Sequence, residues 1–215
     1  MKDNINTKEY WESRFKKNWK KSGATQTTEY AKANVKHIPL TANFRGTILD
    51  FGCASGDAIP VYSQAFPEAK LSGVDISETA INACKKKYGT IADFFTGGIN
   101  DLGSFDTIVA SHVMEHITDD KAIVKALLKK CKDLFVFVPF KENPLFIEHV
   151  NYYEQDYYDD MHPVEIKTFK VQYVREMPLK TVIKNLFKFR YIPNYSFSKD
   201  IIMFHLRGFN ETTLS

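Results

Sequence analysis

"ILDFGCASGDAIPVYSQAFPEAKLSGVDIS", residues 48–77, decides the fold. A short apolar run closes in a glycine turn, residues 57–66 follow with helical spacing, and a second apolar run ends at Asp75. Pro60 fits the first turn of that helix, where the N–H it lacks has no partner to lose. Strand, glycine turn, helix, strand is the unit from which parallel sheets are built, because parallel neighbours need a long crossover between them.

Outward from this stretch the rhythm repeats. Helix 77–88 starts at Ser77, a hydroxyl suited to an N-cap, and a short strand follows at 91–95. Then come strand 105–111, helix 119–131 and strand 133–140. Alternation of this kind implies right-handed crossovers and a doubly wound α/β core covered on both faces. Before residue 40 lie two helical segments, 7–20 and 27–38. Beyond residue 140 a polar, tyrosine-rich loop or helix (148–160) precedes strand 168–176, a basic amphipathic stretch 178–190 and a last strand 200–207.

The chain has 215 residues, which suits one α/β domain with additions. The reading is one domain: a helical lid at 1–40, a ligand-binding core at 41–140, and an acceptor-side loop, hairpin and amphipathic helix at 141–215. No run approaches the roughly eighteen apolar residues of a membrane span, and the first residues lack the apolar block of a secretory signal. A cytoplasmic protein is expected. Cys53, Cys84 and Cys131 are far apart, so neither a disulfide framework nor a cysteine zinc site is indicated. Net charge is +3 but uneven, with nine basic against four acidic residues in both 1–40 and 161–215. Basic ends suit an anionic partner, and a solvated surface gives the same count.

In an open sheet, ligands sit at the carboxyl ends of the strands. The first such end is "LDFGCASGD", residues 49–57, where Gly52 and Gly56 allow backbone to approach a ligand closely. A dinucleotide fingerprint would read G-x-G-x-x-G behind an apolar strand end. Here the pattern is G-x-A-x-G behind Asp50. A carboxylate there repels a pyrophosphate and suits an ammonium group, such as the methionine end of S-adenosylmethionine. Asp75, about twenty residues on, ends the second strand where an acid can accept both ribose hydroxyls.

Together with "FDTIVASHVMEHITD" (105–119), these residues resemble the class I S-adenosylmethionine-dependent methyltransferases, and "NTKEYWESRFKKNW" (6–19) resembles bacterial members that modify surface polysaccharides and small molecules. The resemblance implies a mostly parallel seven-stranded sheet whose last two strands form an antiparallel hairpin. It assigns S-adenosylmethionine to Asp50, Gly52, Cys53, Gly56, Asp75, Ile76, Gly98, Ile99, Ser111 and His112. Asp50 and Gly52 take the methionine part and Asp75 the ribose. Where such enzymes often carry an acid near the adenine, this chain has Gly98 in "TGGIN"; the backbone with Ile99, or Asn100 or Asp101, must serve instead.

Residues 112–116, His-Val-Met-Glu-His, also spell the inverted zinc-peptidase signature H-x-x-E-H. That chemistry needs both histidines on one face of a continuous helix. These five residues directly follow a strand and precede the helix near Asp119, so no metal is expected. Histidine suits proton removal near neutral pH, and His116 and His149, in the loops after the fourth and fifth strands, are the candidate bases for a hydroxyl acceptor. Either can equally be a loop histidine that only shapes the pocket.

The acceptor is expected to be a small molecule or glycan precursor, oxygen favoured over nitrogen. No RNA-binding module appears, so nucleic acid is not expected. Tyr152, Tyr153, Tyr157 and Tyr158 with Glu148, Glu154 and Asp156 offer an acceptor wall, or simply packing. Tyr10, Trp11, Phe15 and Trp19 recur at helical spacing as the apolar face of a lid. The stretch 178–190 covers a sheet edge or lies on an anionic bilayer. An RNA or protein methylase, a binder without turnover and a zinc hydrolase remain the alternatives.

Overall fold

The structure, a computed structural model, describes residues 5–175 and 195–208. Its centre is one seven-stranded sheet in the order β3-β2-β1-β4-β5-β7-β6. The strands are β1 (Thr47–Phe51), β2 (Lys70–Asp75), β3 (Asp93–Thr96), β4 (Phe105–Ser111), β5 (Cys131–Pro139), β6 (Glu165–Arg175) and β7 (Tyr195–Arg207). β1 to β5 run parallel to one another, and β7 lies antiparallel to both β5 and β6. The chain moves outward from β1 to β3 and then returns to β4 on the other side of β1. Connections therefore leave the tips of β1 and β4 in opposite directions and open a crevice between them.

Period-two alternation sorts each central strand between two apolar layers. Leu49, Ile108, Val136 and Phe204 face α5 (Asp120–Leu128), whose Val124, Leu127 and Leu128 fill that side. Ile48, Val109, Phe137 and Met203 face the other layer, built on α2 (Ala24–Asn34), α3 (Ile59–Ala65) and α4 (Glu78–Tyr88). A strand buried on both faces reads as a continuous apolar run, which is why "LFVFV" (134–138) was so legible. α1 (Lys8–Ser22) starts at Thr7, whose side chain accepts from the Tyr10 N–H, and Ser77 caps α4 through the Ala80 N–H as expected. No helix among the described residues is long and apolar enough to cross a membrane.

Two boundaries differ from expectation. α5 stops at Leu128, and Cys131 opens β5 instead of closing the helix. Cys131 lies four residues after Leu127 and keeps a helical spacing, with its thiol on the Leu127 carbonyl, but its backbone pairs with Phe105. The closing hairpin is longer than the expected segments, with Glu165 opposite His205 and Arg175 opposite Tyr195. The amphipathic stretch 178–190 lies outside the described residues.

The tyrosine-rich segment is largely not an acceptor wall. The hydroxyls of Tyr153, Tyr157 and Tyr158 donate to the Asp120 carboxylate at 2.9, 3.0 and 2.6 Å. Asp120 is itself buried in the first turn of α5, so one carboxylate pins the 151–161 loop onto the core. Burial, with the charge of Asp120, holds all three phenols above the ordinary tyrosine range. Of the four tyrosines only Tyr152 is exposed. Asp120→Ala should therefore lower unfolding free energy by about 2–4 kcal/mol in urea titrations, and Tyr152→Phe should change it little.

Candidate active site

The glycine turn after β1 is closed by its neighbour. The N–H groups of Gly52 and Cys53 both donate to the Val74 carbonyl, at 2.8 and 2.9 Å, which ties the turn to the end of β2. Gly52 and Gly56 each have φ +73°, a region closed to most side chains. A β-carbon on Gly52 would also collide with Val113, which roofs the turn from the loop after β4. Asp75 completes the arrangement: one carboxylate oxygen accepts the Ala54 N–H and the other the Ser77 N–H, both at 2.9 Å. Each oxygen keeps a lone pair for a ligand hydroxyl.

Asp50 sits beneath this turn, 4 % exposed, and accepts no hydrogen bond from any described side chain or N–H. Burial, with the negative charge of Asp75 adding to it, raises its pKa to about 7. Burial raises Asp75 to about 6 against the pull of the Ser77 and Ala54 N–H groups. Two acidic groups held this way form a cation-seeking floor. A ligand bringing positive charge supplies what Asp50 lacks.

A cleft opens above them. Gly52, Asp75, Ile76 and Gly97 line one wall, His112, Val113 and His116 another, and Trp11, Phe15 and Trp19 of α1 close the third. Three members of the aromatic stripe, Trp11, Phe15 and Trp19, thus line the cleft, and Tyr10 does not. Glu12 bonds the Thr79 hydroxyl and N–H at the start of α4, while the Tyr10 hydroxyl and Arg14 both reach the Glu148 carboxylate. Burial and Glu148 push Tyr10 up to about 12.

Other expected residues stand behind the cleft. The Cys53 thiol is buried beside Cys84, and its N–H is spent on Val74, so Cys53 shapes the turn. Gly56 is packed against Cys84, Tyr88 and Phe94. The Ser111 hydroxyl accepts from Asn34 at 2.9 Å. Gly98 gives its N–H to Asp101, which braces this turn, and Ile99 packs on the core, leaving Gly97 at the cleft wall.

The H-x-x-E-H letters do not form a peptidase helix. Met114–His116 is a single 3-10 turn, and His112, with φ 56°, stacks on Tyr30 at 3.8 Å, away from His116. What converges is His116 with His149, ring centroids 5.0 Å apart, and Glu115 beside them. Backbone ties enforce it. The Val150 N–H donates to the Glu115 carbonyl at 2.8 Å, and the Asn151 amide donates to the Met114 and Ile117 carbonyls. His116 Nδ1 meets the Glu148 carbonyl at 3.1 Å, and His149 Nδ1 meets the Glu142 carboxylate. Burial lowers the His116 pKa. Burial pushes Glu142 up, but His149 and Lys199 more than offset it and hold it at about 2. Val113, Gly97 and Glu142 escaped the sequence reading; only tertiary packing gives them roles.

Comparison with known proteins agrees with this geometry. Residues 49–134 match a family described as a methyltransferase domain. That match takes in the glycine turn, Asp50 and Asp75, and covers less than half of the chain. Over 99 residues this chain is 32% identical to the ubiquinone biosynthesis O-methyltransferase of Idiomarina loihiensis, covering 41% of the chain and 39% of that protein. The match therefore spans well under half of the relative's length. Among solved structures, a chain of the Haloferax volcanii complex containing the Trm112 methyltransferase activator superposes with TM-score 0.65 at 13% identity. That match covers 93% of this chain and 98% of the other. The plantazolicin methyltransferase BpumL gives 0.60 at 15%, covering 94% and 90%. At these identities the structural likeness speaks to the fold.

The raised pKa of Asp50 has a measurable sign. Asp50 binds its proton more tightly folded than unfolded, so its contribution to stability is full below about pH 4 and lost as pH rises through 7. Asp50→Asn should remove that loss: the ligand-free variant should melt several degrees higher than wild type at pH 8 and much closer to it at pH 5.5, read by thermal scans.

Proposed function

We propose that this protein transfers a methyl group from S-adenosylmethionine to a hydroxyl oxygen of a small molecule or glycan precursor. The observation that carries the reading is the division of the cleft. Asp75 lines one wall, with the buried Asp50 behind it beneath the glycine turn, and His116 lines the other, with His149 packed against it from behind. When bound, the cofactor supplies an electrophilic methyl carbon on a positively charged sulfur. Asp50 neutralises the methionine ammonium through the turn, Asp75 accepts from the ribose, and Ile76 with Gly97 borders the base.

His116 and His149 are placed where the acceptor must come, because they leave the tips of β4 and β5 beyond the turn. A hydroxyl becomes a good nucleophile as its proton leaves, and an imidazole with a free Nε2 can take it. This favours oxygen over nitrogen, and the curated relative is an O-methyltransferase by name. Phe146 and Ile147, 53 % and 61 % exposed on the same loop as His149, give an acceptor with an apolar body something to lie on. The α1 lid keeps water from the sulfonium.

Cofactor binding should require ionised Asp50, so affinity measured by calorimetry should fall about tenfold between pH 8 and pH 6. Asp75→Ala should weaken it by roughly 10- to 100-fold. Production of S-adenosylhomocysteine with phenols, catechols or sugars would support the reading. Turnover with RNA or protein alone, or binding with no turnover, would overturn the acceptor class.

A further inference from the structure

We propose that Glu115, His116 and His149 bind one divalent transition-series cation beside the cofactor cleft, and that this cation holds an acceptor bearing two neighbouring oxygens. The inference rests on the acceptor side assigned above. One ligand atom from each of the three residues lies within 4.8 Å of the other two. Ligands around a single zinc-sized ion at about 2.1 Å sit roughly 3–3.5 Å apart, so loading draws the set together by about an ångström.

Both histidines are prepared for this. A carbonyl faces Nδ1 of His116 and a carboxylate faces Nδ1 of His149, so each Nδ1 carries the hydrogen and Nε2 keeps its lone pair. An acceptor behind the far nitrogen is the arrangement that orients metal-binding imidazoles and makes them more basic. Glu142 is fixed in turn by Lys199 at 2.9 Å.

Glu115 supplies the second, independent observation. It is 1 % exposed, one oxygen meets His112 Nδ1 at 3.0 Å, and Oε2 has no partner among the described residues. A buried carboxylate with an empty oxygen is costly unless positive charge arrives. His112 thereby acquires a role other than the one its motif suggests: it positions Glu115 and is not a ligand. Two imidazole nitrogens and one carboxylate suit zinc, manganese, iron or cobalt and leave coordination positions open. His116 lines the cleft, so those positions face the acceptor space.

A catechol or vicinal diol can fill two of them. Coordination lowers the pKa of the attacking hydroxyl, and its proton passes to solvent. The oxygen then forms the new O–C bond as the C–S bond breaks, and the electron pair of that bond returns to sulfur. No oxidant or reductant is needed. In the metal-loaded protein the histidines act as ligands, and the cation takes over activation of the hydroxyl.

The test uses full-length protein freed of affinity tags and stripped with chelator. Titration with cobalt(II) should saturate at one equivalent with visible ligand-field bands, and catechol should shift those bands. His149→Ala should weaken cobalt binding at least tenfold, as should Glu115→Gln; because Glu115 is buried and its variant can misfold, the partly exposed His149 decides. His162→Ala, remote from the cluster, should bind like wild type. S-adenosylmethionine affinity should be unchanged in stripped protein and in His149→Ala. Normal cofactor binding without stoichiometric cobalt, or cobalt binding indifferent to His149→Ala, overturns the site. Failure of wild-type protein to bind S-adenosylmethionine would sink the function proposed above and leave the cobalt result to stand by itself.

Discussion

Two N–H groups converge on one carbonyl: Gly52 and Cys53 on Val74. This pairing holds the β1 turn against the end of β2, and the positive φ at Gly52 follows from bending the chain so sharply. It buries Asp50 under the turn and brings Asp75 within reach of the Ala54 N–H, so the two acidic groups come to share one small volume. The resulting floor is electrostatically unfinished. Burial and mutual repulsion raise Asp50 far enough that a positively charged guest gains from its presence. Val113 then roofs Gly52 so closely that a β-carbon there would collide with it, which links the glycine turn to the loop after β4.

The opposite side is assembled differently. No regular element carries His116 and His149 together; one follows β4 and the other follows β5. Their meeting depends on hydrogen bonds between two loops, from the Val150 N–H to the Glu115 carbonyl and from the Asn151 side-chain amide to the Met114 and Ile117 carbonyls. Asp120 anchors the same loop farther along through three phenols. The tyrosines that suggested a binding wall are the means by which the 151–161 loop is kept in place.

Much of the fold could be read directly because its signals are local. Gly52, Gly56, Ser77 and the alternating strands declare themselves within a few residues, and the parallel order follows from the lengths between them. The end of α5 was misplaced because Cys131 continues the spacing of Leu127, with no glycine or proline to mark the break. The starts of β6 and β7 were missed because a polar edge hairpin lacks an apolar run. In the candidate site, the distance of Asp50 and Asp75 from the glycines suggests that they share one turn, and both lie against it. The pairing of His149 with Glu142, and the empty oxygen of Glu115, arise only when distant segments meet. Gly97 replaced Gly98 at the wall because Asp101 claims the Gly98 N–H.

Glu148 is gripped at both of its ends. Its carboxylate holds Tyr10 and Arg14 of α1, while its carbonyl steadies the His116 ring and receives the Asn6 amide. Any displacement of α1 must therefore give up the contacts of Tyr10 and Arg14 with the residue whose carbonyl steadies the His116 ring. One glutamate thus fastens the amino-terminal helix to the loop that carries His149.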